Sequence, residues 1–315
     1  MASHILCVDD EINILYSLER LLATESVKII KCTNPFDAIA VLENTPVSVI
    51  ISDNYMPFMN GLELLQKARE LQPDTFRILI TAYADFSTAI DAINKGEVYR
   101  FVTKPWNNDD LVNMVHEAVQ RYDIAQAMKR ADEAALLSLA QAIELKDKYT
   151  KGHCDRVAEY AIKIAKAMEL PDEWIKNIRQ GSWLHDCGKI GVPEALLNYN
   201  GPLSEDEMRI VEKHPVWGAE LAQLAQLSRP IANIITYHHE RYDGTGYPNR
   251  LKNKAIPLEA RIVAVADTYD AMTTDRPYRK KISHKEALQH LREESGKAYD
   301  PEITDIFISL MTKGL

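Results

Sequence analysis

The sequence predicts two domains, an α/β domain with a doubly wound, five-stranded parallel sheet followed by an all-α domain. Three observations lead to this fold class. The chain has 315 residues, and a domain commonly holds roughly 100–200 residues. The first 105 residues alternate apolar strand-like runs with amphipathic helical stretches, which is typical of a parallel sheet. From Gly152 onward the apolar residues recur at helical spacing, without strand alternation.

Five short apolar runs are the predicted strands of the first domain. Amphipathic stretches lie between them, for example at Gly61–Leu71, where the apolar residues share one helical face. The carboxyl ends of parallel strands meet at one edge of the sheet, so polar residues there are expected to form a site. The predicted strands are His4–Val8, Lys28–Lys31, Val47–Ser52, Arg77–Ile80 and Tyr99–Val102.

The segment from Trp106 to Lys151 contains neither glycine nor proline, and its apolar residues recur at helical spacing. This pattern predicts a long helix, with an interruption allowed, that leaves the first domain and enters the second. An ordinary pair of packed helices fits the pattern as well, and the segment could also pair with a second copy to form a homodimer. We divide the chain into a first domain at 1–121, a helical linker at 122–147 and a second domain at 148–315.

Composition and charge exclude several classes of protein. Hydrophobic residues make up 46% of the chain and charged residues 26%, which is ordinary for a globular protein. The formal net charge is −9 and neither domain is basic, which argues against direct DNA binding. No apolar run approaches the roughly 18 residues of a membrane span, and we find no export signal. The four cysteines lack paired spacing, so we expect a cytoplasmic protein.

Polar side chains stand at the ends of the predicted strands in the first domain. Asp9 and Asp10 end the first strand, and Asp53 ends the third. Thr81 and Lys104 end the fourth and fifth strands. Carboxylates that converge from two strands suit Mg²⁺. With a metal and a lysine nearby, one aspartate can act as a nucleophile towards a phosphoryl group.

Residues 1–121 resemble the receiver domain of bacterial two-component response regulators. The motifs are VDDE at 8–11, SDNYMPFMNG at 52–61, ITAY at 80–83 and FVTKPW at 101–106. The resemblance implies a flavodoxin-like fold in which Asp53 accepts phosphate from a cognate histidine kinase. It also implies Mg²⁺ ligands at Asp9, Asp10 and Asp53 and switch residues at Thr81, Phe101 and Lys104. A phosphoryl group adds about −1.5 to −2 charge, and its pull on Thr81 is expected to let Phe101 repack.

Histidine and aspartate residues that could bind metal are frequent in the second domain. Imidazoles and carboxylates without thiolates suit Fe, Mn, Zn or Ni and favour a catalytic site. Neighbours on a helix point about 100° apart, so His185 and Asp186 can serve one centre while Asp186 reaches a second metal. Lys189, four residues after His185, is expected on the same helical face as His185, where it can meet a bound phosphate. The candidate ligands are His153, His185, Asp186, His214, His238, His239 and Asp267.

The second domain resembles the HD-GYP group of the HD phosphohydrolase superfamily from about Leu136 to Ile306. The motifs are KDKYTKGHCDRV, LHDCGKIGVPEALL, HPVWGAE, HHERYDGTGYP, IPLEARIVAVADTYDAMT and AYDP. The resemblance implies a helical bundle that hydrolyses cyclic di-GMP to pGpG, GMP or both. It assigns one metal to His153, His185, Asp186 and Asp267 and a second to His214, His238 and His239, with Asp186 bridging.

The resemblance also bears on the number of metals. Some members of this group hold a third metal through a glutamate four residues before the first histidine. That position is Tyr149 here, so we predict two divalent metals, with Fe or Mn favoured and Ni or Zn as alternatives. Asp147 or Glu144 could still reach the site by another geometry.

Basic and aromatic residues near the ligands are the candidate substrate contacts. Lys189, Arg276 and Arg279 would offset phosphate charge, and the planar arginine fork suits phosphate oxygens. A solvated basic helix end is the alternative for the two arginines. Tyr247 would shape its glycine-rich loop or contact the substrate, and the loop could meet a diguanylate cyclase partner. Asp186 and Lys189 are the predicted catalytic residues.

We therefore expect a response regulator whose phosphorylation activates a cyclic di-GMP phosphodiesterase. Two alternatives remain open. One is a hydrolase of another cyclic dinucleotide such as cyclic GMP-AMP, because no base-reading residue can be assigned. The other is a catalytically silent binding module gated by phosphorylation, against which the intact ligand set argues.

Overall fold

The computed structural model describes residues 3–24, 27–82, 98–146, 152–199, 201–275 and 280–313. The chain forms two compact units, Met1–Arg130 and Ala131–Leu315. The predicted division at 121 and 147 stays a prediction. Among the helices described, none combines the length and apolar character that a membrane crossing requires.

The first unit is built on a parallel sheet with the strand order β2-β1-β3-β4-β5, as the fold class predicted. The strands are β1 (Ser3–Val8), β2 (Val27–Cys32), β3 (Val49–Asp53), β4 (Phe76–Ala82) and β5 (Arg100–Lys104). Every predicted strand lies within two residues of an observed one. The register pairs Val8 with Ser52, Asp53 with Ile80 and Thr81 with Thr103. The carboxyl ends of the strands therefore share one edge.

Helices cover both faces of this sheet. Its described helices are α1 (Ile12–Leu22), α2 (Pro35–Asn44), α3 (Gly61–Leu71) and the start of α4 (Asn108–Glu144). Side chains of α1 and α4 pack on one face, and those of α2 and α3 pack on the other. Helix α3 matches its predicted bounds because Asn60 and Glu63 form a capping box at its start. A Cβ at Gly61 would lie 2.2 Å from the carbonyl oxygen of Asp53, so only glycine fits beside that strand end.

Helix α4 is the predicted long helix, and it runs without the interruption that the sequence allowed. It begins at Asn108 rather than Trp106. Leu111 and Val115 near its start pack in the first unit. Ala140 and Ile143 near its end pack in the second.

The second unit is helical in its described part, as predicted. Its remaining helices are α5 (His153–Ala167), α6 (Asp172–Leu184), α7 (Glu194–Leu197), α8 (Glu205–Val211), α9 (His214–Leu224), α10 (Arg229–Tyr237), α11 (Leu258–Thr273), α12 (His284–Glu293) and α13 (Pro301–Lys313). Short 3₁₀ helices occur at Cys187–Gly191 and Asn253–Ala255. The main core packs α11 against α5 and α13, with Phe307 fully buried. This packing fixes the helix ends from which the candidate ligands project.

Candidate metal centre and phosphoacceptor site

In the first unit, Lys104 at the end of β5 lies beside two buried carboxylates. Its Nζ is 2.5 Å from Oδ1 of Asp53 and 3.2 Å from Oδ2 of Asp9. The other oxygen of Asp53 accepts a hydrogen bond from the amide of Tyr55, and that of Asp9 accepts one from the amide of Glu11. Burial raises the pKa of Asp9. Burial alone would lower the pKa of Lys104, but its bond to Asp53 raises it, so the lysine stays charged.

The structure thus brings together three of the residues predicted for phosphorylation. Thr81 is buried in β4, close to its carboxyl end, and Asp10 is exposed directly after β1. Phe101 is half-buried in β5 against the core that α2 and α3 cover. Two carboxylates at one strand edge are an oxygen donor set that suits Mg²⁺. The roles of these residues in phosphorylation stay predictions.

In the second unit, the seven candidate ligands come from five separate segments. His153 begins α5, His185 and Asp186 follow α6, His214 begins α9, His238 and His239 follow α10, and Asp267 lies within α11. Four of the five segments present their ligands at a helix end, where the side chains can converge on one point. The imidazoles of His153, His185, His214 and His238 are buried.

Asp186 belongs to two groups of potential metal ligands. Within each group, the ligand atoms all lie within 4.8 Å of one another. The groups are Asp186 with His214, His238 and His239, and Asp186 with His153 and His185. Oδ1 of Asp267 lies 3.2 Å from Nε2 of His153 and 4.0 Å from Nε2 of His185, so it borders the second group. The structure therefore brings six of the candidates together in two groups that share Asp186, with Asp267 beside the second group, and their roles as metal ligands stay predictions.

Outward hydrogen bonds fix which ring nitrogen faces the centre. The bonds join Nδ1 of His185 to Ser182 O, Nδ1 of His214 to Val211 O and Nδ1 of His238 to Ile234 O. A carbonyl oxygen only accepts, so each Nδ1 donates and each Nε2 carries a lone pair. Nε2 of His214 and Nε2 of His238 are 3.5 Å apart. Two lone pairs facing each other at this distance are the arrangement that a bound cation stabilises.

Other features of the cluster also favour a cation. Within the described residues, Nε2 of His185 is buried and makes no hydrogen bond. Burial lowers the pKa of His238 well below its usual value, and burial and the nearby His214 lower that of His239 to about 3. Both rings are therefore neutral at pH 7, the form that binds metal. His153 differs, because its bonds to Asp267 and Asp270 outweigh burial and raise its pKa to about 9, so a metal bound there would displace a proton from the ring.

The donor set fits divalent transition metals. It combines imidazole nitrogens with the carboxylates of Asp186 and Asp267, whose side chains are 13% and 17% exposed. Nitrogen and oxygen donors of this kind suit Fe, Mn, Zn or Ni, as the sequence predicted. The two carboxylates and the part-buried His239 are the part of the cluster that a substrate could approach from solvent.

Lys189 reaches the centre by a different geometry from the one predicted. Helix α6 ends at Leu184, and Cys187–Gly191 forms a 3₁₀ helix, so the α-helical spacing between His185 and Lys189 does not apply. The Nζ of Lys189 instead lies 2.7 Å from Oδ2 of Asp186, three residues away. Burial alone would raise the pKa of Asp186, but Lys189 and His185 hold it well below its usual value. A cation therefore stands beside the shared carboxylate.

A close approach between backbones holds this segment against α9. A Cβ at Gly188 would lie 1.8 Å from the carbonyl oxygen of His214 and 2.6 Å from the amide nitrogen of Gly218. No side chain fits there, so Gly188 allows His185 and Asp186 to meet His214. The glycine within LHDCGKIG thus has a positioning role that the sequence reasoning did not assign.

Asp270 is a further functional residue that the sequence reasoning did not single out. Its Oδ2 lies 2.7 Å from Nδ1 of His153, and both of its oxygens accept hydrogen bonds from Arg156. A carboxylate on the far nitrogen of a ligating imidazole orients the ring and raises its basicity. Asp270 follows Asp267 by three residues on α11, a spacing that places both on one helix face and could have revealed it.

Two remaining candidates have structural contacts. Glu144 belongs to neither ligand group, although it lines the same small cavity as His153 and Asp186, and its carboxylate accepts hydrogen bonds from the amides of Gly152 and Cys154. The ring of Tyr247 packs 4.8 Å from the ring of His239, which supports its predicted role in shaping the loop. Tyr149, Asp147, Arg276 and Arg279 lie outside the described residues, so their predicted roles are untested.

Family models match most of the chain. The HD domain matches residues 138–303, and the response regulator receiver domain matches residues 5–116. The chain is 34% identical to the cyclic di-GMP phosphodiesterase response regulator RpfG of Xanthomonas campestris pv. campestris, over 97% of this chain and 87% of the relative. It is 30% identical to a cyclic di-GMP phosphodiesterase of Thermotoga maritima, over 97% of this chain and 90% of the relative.

A third relative has a different substrate in its name. The chain is 31% identical to the 3'3'-cGAMP-specific phosphodiesterase 2 of Vibrio cholerae. The alignment covers 58% of this chain and 35% of that protein. The second unit is thus homologous to hydrolases named for two different cyclic dinucleotides.

Proposed function

The chain belongs to the family of response regulators that join a receiver domain to an HD domain, and from this premise we propose that it hydrolyses cyclic di-GMP with two divalent metals. The observation that carries the proposal is the sharing of Asp186 between two ligand groups. A carboxylate has two oxygens and can bridge two metals. Two-metal sites about 3.5–4 Å apart recur in enzymes that cleave phosphate esters.

The ligand residues would divide as their contacts suggest. His153, His185 and Asp267 would hold one metal, and His214, His238 and His239 the other, with Asp186 between them. When bound, the metals would supply Lewis acidity to a phosphodiester and lower the pKa of water. Fe or Mn is proposed, with Ni or Zn as alternatives, since imidazole and carboxylate donors suit all four metals.

Lys189 would contact the substrate, and Asp270 and Tyr247 would hold the rings of two metal ligands. The ammonium of Lys189 lies beside Asp186 and would offset the charge of an incoming phosphate. Asp270 would hold the ring of His153, and Tyr247 would hold that of His239. The predicted substrate contacts at Arg276 and Arg279 complete the proposal.

We also propose that phosphorylation of Asp53 by a cognate histidine kinase raises the phosphodiesterase activity. Asp53 lies beside Lys104 and Asp9, the surroundings that a phosphorylated aspartate and Mg²⁺ need. Thr81 and Phe101 would relay the change. Equal turnover of the unmodified protein and the protein loaded with beryllofluoride would remove this part of the proposal. A homodimer through α4 and a diguanylate cyclase partner stay predictions.

The decisive experiment is turnover of cyclic di-GMP by anaerobically purified protein, with the metal content measured on the same sample. We expect about two metals per chain, and loss of both turnover and metal in Asp186→Ala. Asp305→Ala, an exposed aspartate on α13, is the matched control. Bound metal without turnover, even after beryllofluoride loading, would contradict the assignment of cyclic di-GMP.

The second candidate function is hydrolysis of cyclic GMP-AMP. It is favoured by the similarity to the Vibrio cholerae enzyme named for that substrate. The two substrates differ in one base, so their relative kcat/KM values on the same sample separate the candidates.

A further inference from the structure

The end of α4 contacts both chain segments that carry the first ligand group. One segment starts with His153 at the beginning of α5, and the other runs from His185 through the 3₁₀ helix Cys187–Gly191. Glu144 ends α4, and Lys146 lies two residues further along the chain. Each of the two residues binds the backbone of a different segment.

Glu144 binds the amino end of α5. It is 9% exposed, and its two carboxylate oxygens accept hydrogen bonds from the amides of Gly152 and Cys154 at 2.8 and 2.7 Å. These amides flank His153 in the chain. Because the first amides of a helix have no partner within the helix, a carboxylate there stabilises the helix end. Glu144 therefore fixes the backbone on both sides of a candidate ligand.

Lys146 binds the carboxyl end of the 3₁₀ helix. Its ammonium donates to the carbonyl oxygens of Ile190 and Val192, both at 2.7 Å, and lies 3.5 Å from that of Lys189. A cation is favourable at the carboxyl end of a helix, where carbonyl oxygens lack partners. Lys146 thus holds the segment that carries Asp186 and Lys189.

Apolar contacts keep the helix end in place between the two segments. Ala140 and Ile143, which lie four residues and one residue before Glu144 on α4, are buried with Cys154, Leu184 and Cys187. Cys154 follows His153 in the chain, and Cys187 follows Asp186. The helix end therefore touches both ligand-bearing segments through side-chain packing as well as through hydrogen bonds.

We propose that Glu144 and Lys146 are positioning residues through which the end of α4 assembles the first ligand group. The inference rests on the proposed metal centre. Releasing the helix end would free both His153 and the His185–Asp186 segment, and the three ligands would lose their common geometry. The other group shares Asp186 but would keep its three histidines, His214, His238 and His239, whose segments neither residue touches in the described contacts, so its site should weaken less.

The test is Mn²⁺ binding to the full chain, followed by calorimetry and by electron paramagnetic resonance. Two adjacent Mn²⁺ ions give a spin-coupled spectrum, whereas one gives an isolated signal. In Glu144→Gln and Lys146→Gln we expect affinity at one of two sites to fall by about tenfold or more, the loss typical of residues that support metal ligands. At the Mn²⁺ concentration that fills the wild type, the spectrum should then change from coupled to isolated.

Controls separate positioning from general damage. Lys146→Arg retains donors for the same carbonyls and should restore the coupled spectrum. Glu220→Gln and Lys176→Gln change exposed residues of the same unit and should bind as the wild type does. Wild-type affinity at both sites in Glu144→Gln and Lys146→Gln would overturn the inference, as would equal weakening of both sites.

Amide hydrogen exchange distinguishes this inference from the proposed function. In metal-free protein, the amides of Gly152 and Cys154 should exchange about fivefold faster in Glu144→Gln than in the wild type, because a lost cap lowers local stability by about 1 kcal/mol. If the wild type binds no Mn²⁺, the proposed function fails, yet faster exchange still supports the contact. Unchanged exchange would overturn it independently of any metal.

Discussion

The two polar sites of this protein balance their charges in different ways. At the sheet edge, Lys104 lies within 3.2 Å of both Asp9 and Asp53, so the protein itself supplies the compensating cation. In the helical unit, imidazole lone pairs face one another and face carboxylates, and Lys189 lies beside Asp186. In the first arrangement, a lysine offsets part of the carboxylate charge before any metal binds. In the second, lone pairs converge in an arrangement that a bound cation would stabilise.

The largest effect that would test this comparison concerns the shared carboxylate. Asp186→Asn should remove both metals and lower turnover by about a thousandfold, equal to about 4 kcal/mol of transition-state stabilisation. Asp267→Asn should leave about one metal per chain, because Asp267 lies beside His153 and His185 of one ligand group. The metal content of each variant after gel filtration measures the two predicted metal losses. Equal metal loss in the two variants would show that Asp186 is not shared.

Metal removal should destabilise the helical unit more than the sheet unit. A ligand present at a hundred times its Kd stabilises the folded state by about 2.7 kcal/mol. Added Mn²⁺ should therefore raise the melting temperature of the second unit, measured by differential scanning calorimetry with the two transitions resolved. The first transition should shift less, since Lys104 already offsets part of the charge of its carboxylates. A shift confined to the first transition would reverse the comparison.

Asp270 supplies a smaller and more local test. Asp270→Asn keeps the size of the side chain but removes the charge that faces Nδ1 of His153. We expect about a tenfold loss of Mn²⁺ affinity at one site, because an outer partner orients the ligand and raises its basicity. Calorimetric titration with Mn²⁺ measures this loss of affinity, with Asp305→Asn as the control. An unchanged titration would mean that His153 does not need this partner.

The pH dependence of metal-free stability should have opposite signs in the two units. The folded-state pKa values of His238 and His239 are lowered, that of His239 to about 3. The stability that these two histidines contribute is complete above their unfolded pKa of about 6.5 and is lost as the pH falls towards 3. The raised pKa of Asp9 acts the other way, since its folded form binds a proton more readily as the pH falls. Urea unfolding of each unit at pH 7 and at pH 4.5 should therefore show that the second unit loses more free energy of unfolding than the first.

The sequence predicted the sheet site almost completely, because that site depends on local pattern. Apolar runs locate the strands, strand direction brings their carboxyl ends together, and Asp53 and Lys104 follow from their positions. The bounds of α3 follow from its capping box. Errors of one or two residues at strand ends did not move any site residue to another edge.

The sequence predicted less of the helical site, because long-range packing determines its details. The HD and HH pairs showed the ligand types, but the sequence did not show that α6 ends at Leu184. The prediction that His185 and Lys189 share one α-helical face was therefore wrong. Glu144 was weighed as a metal ligand, whereas it accepts bonds from Gly152 and Cys154, which lie eight and ten residues further along the chain and which no periodicity connects to it. The role of Gly188 depends on the backbone of His214, which is distant in sequence.

The most direct test of the central claim is the crystal structure of Mn²⁺-loaded protein, with the metals located by anomalous scattering. The account predicts two peaks about 3.5–4 Å apart, one on each side of Asp186, with Nε2 of His153 and His185 on one and Nε2 of His214 and His238 on the other. A single peak, or a peak that Asp186 does not touch, would contradict it.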